Sequence, residues 1–371
     1  MTTESPIAWV NGYVRRGAGT VSNTYVADYS LVALMRKGLI DVTGGQRLLA
    51  EGRLEDFCWQ MTWPEDFETP DELLEPNLKN AQGYAVFIHG WTGNHHIWEA
   101  LPGMTVTSNR RLIAFSVDHN GFGASELVDH TPDLETVNPP ACMVTIQNWV
   151  DLIKIRRQPG EATLKVVNFI GHSMGGATLF YMNPLFWRLG EETRLALAPA
   201  LLLEDELYRT FFTTLGIGIG LLERLRVFDF IGQGLKPTVI RTLCEGATAF
   251  VINEHDKEYD NTPRGVTGAT FMAMGRLKNR EIAATWESFR IVLAHKDRLV
   301  GLTGMMDLLG KMEFPVSHVR VVPGSHYFFS VGTDDMHTAY LHAQNRELVV
   351  QELLALHERA YEMQKKGRRV G

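Results

Sequence analysis

Leu164-Lys-Val-Val-Asn-Phe-Ile170, running straight into Gly171-His172-Ser173-Met174-Gly175-Gly176, decides how this chain is read. The first seven residues are a short apolar run, as expected for a strand buried on both faces. A glycine-rich turn follows, and Ser173 to Leu189 reads as a helix. Between a strand and a helix, G-x-S-x-G holds its serine in strained backbone geometry with Oγ projecting above the sheet. The glycines two before and two after allow close backbone approach. The helix N-terminus adds free N–H groups and a positive dipole pole where negative charge develops. An inert glycine turn would not need both flanking elements.

Working outward, Tyr84-Ala-Val-Phe-Ile-His89 and Arg111-Leu-Ile-Ala-Phe-Ser-Val-Asp118 read as two more buried strands. A helix is expected over Ala141 to Arg157 and a strand over Leu195 to Leu203, weakened by Pro199. Phe289-Arg-Ile-Val-Leu-Ala294 and His318-Val-Arg-Val-Val322 are later strands, followed by a last amphipathic helix through Leu341, Leu348, Leu353 and Leu356. Strand–helix alternation of this kind argues for an α/β fold with a mostly parallel sheet covered on both faces. Residues 204–286 interrupt it. There Tyr208, Phe211, Phe212, Leu215, Ile219 and Leu222 share one helical face, the pattern of a mainly helical cap or of a core helix. Before residue 81 the reading is thinner: Tyr25 to Ile40 is apolar enough for a helix that Gly44-Gly45 breaks, and Phe57 to Trp63 suits a short strand. The expected organisation is therefore 1–80 as an N-terminal extension with possible first strands, 81–203 and 287–371 as two halves of a core, and 204–286 as the cap.

Serine is a poor nucleophile without a base, and the base needs a carboxylate to orient it. His326, in Val321-Val-Pro-Gly-Ser-His326, stands just past the last strand, whereas His318 sits at that strand's start, the wrong edge of the sheet. Asp297, in Ala294-His-Lys-Asp297, again follows a strand directly; Asp256 and Asp260 are weaker alternatives inside the insertion. An oxyanion hole would use the backbone N–H of Met174, next to the nucleophile, and that of Trp91, in His89-Gly90-Trp91-Thr92-Gly93. Trp91 and His172, with Phe211, Phe212 and Ile219 of the cap, are the candidate substrate-lining residues.

Together these segments resemble the α/β-hydrolase superfamily, whose order of nucleophile, acid and histidine is that of Ser173, Asp297 and His326. Asp118-His-Asn-Gly-Phe-Gly-Ala-Ser125 is also similar to that superfamily's turn and reads as structural. The resemblance implies a cofactor-free serine hydrolase acting through an acyl-enzyme on an ester or lactone with an apolar group. An acyltransferase using the same triad and a carbon–carbon bond hydrolase remain alternatives. The serine at the elbow tells against haloalkane dehalogenase and epoxide hydrolase chemistry.

Composition sets the outer bounds. The chain has 371 residues, 45% of them apolar and 21% charged, with a formal net charge of −7. A disordered chain has fewer apolar residues, and a nucleic-acid binder carries a basic field, so neither is expected. Cys58, Cys142 and Cys244 are odd in number, far apart and free of any C-x-x-C pair, which fits a reducing, cytoplasmic compartment. Met1 to Trp9 lacks the pattern of a signal peptide, and no transmembrane segment is expected. His89, His95 and His96 lack a carboxylate at ligand spacing, so no metal is expected, and Cys142 lacks a neighbouring base in the sequence. Glu254-His255-Asp256 reads as a solvated loop of the cap. A small hydrophobic substrate is the expected partner, and the oligomeric state is not encoded in any of these patterns.

Overall fold

A computed structural model describes residues 15–16, 24–65, 81–119, 121–157, 163–201, 210, 213–214, 216–218, 236, 240–241, 243–277, 286–331 and 335–370. Among the described residues nine strands form one sheet: β1 (Arg15–Arg16), β2 (Thr24–Ser30), β3 (Cys58–Pro64), β4 (Gly83–Ile88), β5 (Leu112–Val117), β6 (Val166–His172), β7 (Glu192–Leu197), β8 (Phe289–Ala294) and β9 (Val319–Val322). Their spatial order is β1-β2-β3-β5-β4-β6-β7-β8-β9. From β5 to β9 every pairing is parallel, while β1, β2 and β3 join antiparallel. All six residues of β4, β5 and β8, and all seven of β6, are buried, as a sheet with both faces covered requires.

The helices among the described residues are α1 (Leu31–Arg36), α2 (Val42–Gly52), α3 (Leu101–Ser108), α4 (Pro139–Leu152), α5 (Met174–Thr178), α6 (Ala249–Asn261), α7 (Arg264–Gly275), α8 (Leu302–Lys311) and α9 (Met336–Val370). Helix α3 packs on β3 and β5 and against α9, which also covers β6 and β7; α5 packs on β6 and β7 and against α4, which meets α2. The long α9 carries the expected apolar face, with Val349, Leu353, Leu356 and Ala360 buried.

Three local expectations change. The Tyr25–Ile40 segment is not one helix: Thr24–Ser30 is β2, and Ser30 Oγ caps the short α1 by accepting the Ala33 N–H at 3.1 Å. Its aromatic side chains find partners across the sheet, Tyr29 stacking on Trp59 at 5.8 Å and Tyr25 meeting Trp63 at 5.9 Å, so pairing with β3 overrides helical propensity. Gly44 and Gly45 do not break a helix but lie in α2, which Asp41 caps. At Gly45 a Cβ would stand 2.2 Å from Met35 Sδ, so the Met35 thioether occupies the space a side chain would take there. After Ser173 the helix is short, ending at Thr178 and continuing as 3₁₀ turns over Leu179–Tyr181 and Pro184–Phe186. Pro184 holds Asn183 in extended backbone, which stops helical continuation towards Leu189.

Candidate active site

Ser173 sits between β6 and α5 with φ 54° and ψ −117°, left-handed backbone that a non-glycine residue rarely adopts. The turn is tied to β7, since the Ser173 N–H donates to the Leu197 carbonyl at 3.0 Å and its carbonyl accepts from the Ala200 N–H at 2.9 Å. The two glycines of the motif are there for space. A Cβ on Gly171 would lie 2.2 Å from the Gly175 carbonyl oxygen, and one on Gly175 would lie 2.1 Å from that of Ile88.

Asp297 and His326 come from the loops after β8 and β9. Asp297 Oδ1 accepts the backbone N–H groups of Leu299 (2.9 Å) and Val300 (3.0 Å), leaving Oδ2 for His326 Nδ1 at 2.8 Å. Both side chains are almost wholly buried. Burial opposes the charge on Asp297, but the facing His326 ring and the two N–H donors outweigh it and hold the carboxyl below its usual range. His326 rests on the elbow through His172, whose Nε2 donates to the His326 carbonyl at 3.1 Å while the two rings lie 4.6 Å apart. His172 is fully buried, with its ring against Trp98, Tyr327 and Phe329 as well as His326. No hydrogen bond joins Ser173 Oγ to His326 among the described residues. Asp256 and Asp260 pair with Lys236 at 2.9 and 2.7 Å, and His318 bonds the Trp286 carbonyl before β9.

The loop after β4 backs directly on the serine, for a Cβ on Gly90 would stand 2.9 Å from Ser173 Cβ. His89 Nδ1 donates to the Gly90 carbonyl at 2.7 Å and its Nε2 accepts the His119 N–H at 3.3 Å, which orients the peptide entering Trp91. Met174 opens α5, where a backbone N–H has no intrahelical acceptor. Trp91 is buried edge-on against Phe271 of α7, ring centroids 4.0 Å apart, so the insertion lies on this loop. Phe211, Phe212 and Ile219 lie outside the described residues.

Comparison with known proteins agrees with this architecture. The profile of the alpha/beta hydrolase family matches residues 85–355, from the first parallel strand into α9. The chain belongs to the alpha/beta hydrolase family. Similar solved structures include an esterase from Exiguobacterium antarcticum (13% identity, TM-score 0.52, covering 74% of this chain and 92% of that one). An enol-lactonase from Burkholderia xenovorans LB400 (14%, 0.52, covering 81% and 96%) and a bromoperoxidase from Bacillus anthracis (12%, 0.52, covering 80% and 95%) are also similar. At such identities these likenesses speak for the fold alone. No curated protein matches the sequence.

The interior between the sheet and the insertion is polar, and the sequence did not expose it. Glu254-His255-Asp256 is not a solvated loop but part of α6, with Glu254 and His255 buried. Asn94 Nδ2 donates to Glu254 (3.1 Å) and Glu258 (3.2 Å), and Glu258 also accepts the Gly123 N–H at 2.9 Å. Burial, then the nearby Asp118 charge, push the Glu258 carboxyl up to about 7. Asp118 accepts the His95 N–H (2.7 Å) and the Ala124 N–H (3.0 Å) and faces His95 Nδ1 at 2.9 Å, which explains the Asp118–Ser125 turn as structural. Cys142 does have a base beside it after all: its Sγ lies 3.2 Å from His119 Nδ1, but burial pushes the thiol up, so it stays protonated and donates. Among the described residues no group of three or more His, Cys, Asp or Glu side chains is arranged to hold a metal, and no helix is long and apolar enough to cross a membrane. Hydrophobic periodicity cannot find His255, Glu254 or Glu258, because it scores inward polar residues as surface; their i, i+1, i+4 spacing is the one trace they leave.

Proposed function

We propose that this chain is a serine hydrolase of carboxylic esters or lactones, with residues 81–203 and 287–371 as its core and 204–286 as its cap. The observation that carries the reading is the buried His326–Asp297 bond of 2.8 Å, seated through His172 on a strained Ser173 against which Gly90 packs. In this reading the Asp297 carboxylate fixes the Nδ1–H tautomer of His326, so Nε2 is free to accept the Ser173 proton as Oγ attacks the carbonyl carbon. The tetrahedral oxyanion is met by the N–H groups of Met174 and Trp91, which need no reorganisation as charge develops. Collapse expels the alcohol, which takes the proton from His326. A water then gives its proton to His326 and attacks the acyl carbon, and the second collapse returns the proton to Ser173 as the acid leaves. Trp91 and Phe271 supply an apolar wall, which favours a medium-length or bulky apolar group.

A fluorophosphonate probe tests the reaction class. The folded protein should be labelled at Ser173, and labelling should vanish in Ser173→Ala and fall at least a hundredfold in His326→Ala. A folded protein that takes no label overturns the proposal. The p-nitrophenyl acetate, hexanoate and laurate series tests the pocket: hexanoate should have the highest kcat/KM, and strict preference for acetate refutes the apolar wall.

A further inference from the structure

We propose that His255, on α6 of the insertion, is a positioning residue that locks the oxyanion loop and the histidine loop to the cap, so that the two halves of the catalytic machinery are held in register from above. The proposal rests on the serine-hydrolase reading. His255 Nδ1 lies 3.1 Å from Thr92 Oγ1, and Nε2 lies 2.5 Å from the Tyr327 hydroxyl. Thr92 follows Trp91 in the chain and Tyr327 follows His326, so one imidazole bridges the immediate neighbours of an oxyanion donor and of the base.

All three side chains are buried, with His255 1%, Thr92 0% and Tyr327 2% exposed. A buried hydroxyl or imidazole left without its partner is costly, so the triplet sets one arrangement and disfavours others. Burial, followed by the charge of the nearby His326, brings His255 down to about 4, so the ring is neutral and offers one donor and one acceptor. Either tautomer satisfies both hydroxyls, because each hydroxyl can donate or accept. Thr92 also needs holding. Its φ of 52° is left-handed backbone, an outlier for a β-branched residue, and such strain persists only where surrounding contacts over-determine it. Glu254 and Glu258 of the same helix fasten Asn94, two residues further along the loop. The other face of the tie is equally firm, since the Tyr327 N–H donates to the Glu245 carbonyl at 3.0 Å, within the insertion. His255 sits one residue back from each reacting group, and its effect is on where the Trp91 N–H and the His326 ring stand when the transition state forms.

The test uses the full chain and p-nitrophenyl hexanoate, with fluorophosphonate labelling of Ser173 as a second readout. Loss of one hydrogen bond that positions a catalytic loop is worth about tenfold in rate, so His255→Leu should lower kcat about a hundredfold with KM within threefold of the parent. His255→Asn places an amide near the Nδ1 position and His255→Gln near the Nε2 position, and each should recover about tenfold. Thr92→Val and Tyr327→Phe, which leave α6 intact, should each cost about tenfold, and Tyr327→Phe should add less than threefold in the His255→Leu background. A His255→Leu protein with parental kcat and labelling rate overturns the inference. If that variant fails to fold, parental kcat in both Thr92→Val and Tyr327→Phe overturns it equally. If the parent chain itself takes no label at Ser173, it is the hydrolase reading that fails.

Discussion

Replacing Asp297 by Asn probes the site with almost no change of shape. Asp297 Oδ1 is committed to the N–H groups of Leu299 and Val300, while Oδ2 faces His326 Nδ1 at 2.8 Å. An asparagine keeps its oxygen towards the two backbone donors and turns its NH₂ to the imidazole. That amide donates where Nδ1–H donated before, so His326 is driven to the Nε2–H tautomer, which cannot accept the Ser173 proton. The charge is lost as well. Coulomb's law across 2.8 Å at an effective dielectric constant of about 20 gives about 6 kcal/mol between carboxylate and imidazolium, equivalent to about four powers of ten in rate. The expected outcome is a fall in kcat of about 10⁴ on p-nitrophenyl hexanoate, with KM little altered and a melting temperature within a few degrees of the parent. Stopped-flow burst and steady-state kinetics measure it. Retention of more than a tenth of the parental kcat in Asp297→Asn, or an equal loss in Asp256→Asn, would refute the assignment.

Other expectations follow from the same geometry. In Gly175→Ala the new methyl would meet the Ile88 carbonyl oxygen at 2.1 Å, against backbone that cannot yield. That variant should lose about 3 kcal/mol or more in urea unfolding together with Ser173 labelling, and parental stability would show that the elbow tolerates a side chain. Burial alone would lower His95, but Asp118, by charge and hydrogen bond, overrides it and raises the ring to about 9. The fold thus favours the protonated ring, giving stability that is complete below about pH 6.5 and lost as pH rises through about 9, worth about 3 kcal/mol in all. Urea titrations between pH 7 and 9.5 should show this decline in the parent and not in Asp118→Asn; parallel curves would count against it. Gln364 Nε2 donates to the carbonyls of Lys165 (2.7 Å) and Gly190 (2.6 Å), fixing the end of α9. Gln364→Leu should therefore cost about 2 kcal/mol or more in the same assay, and no change would mean that the carbonyls find other donors.

The sequence by itself determined what is covalently local. A strand, a G-x-S-x-G turn and a helix start are neighbours along the chain, and so are each later strand and the residue just beyond it. That is why Ser173, Asp297 and His326 could all be placed at strand ends, and why five of the six parallel strands, β4 to β9, could be located from apolar runs, the exception being β7, displaced towards Glu192. Tertiary structure decided what depends on partners distant in sequence. Thr24–Ser30 is a strand because β3 lies beside it, not because its own residues demand it. His255 is buried because Thr92 and Tyr327, 163 and 72 residues away, complete its hydrogen bonds. An apolar residue announces its burial through periodicity. A polar residue is buried only if specific partners arrive, and no local pattern encodes their arrival.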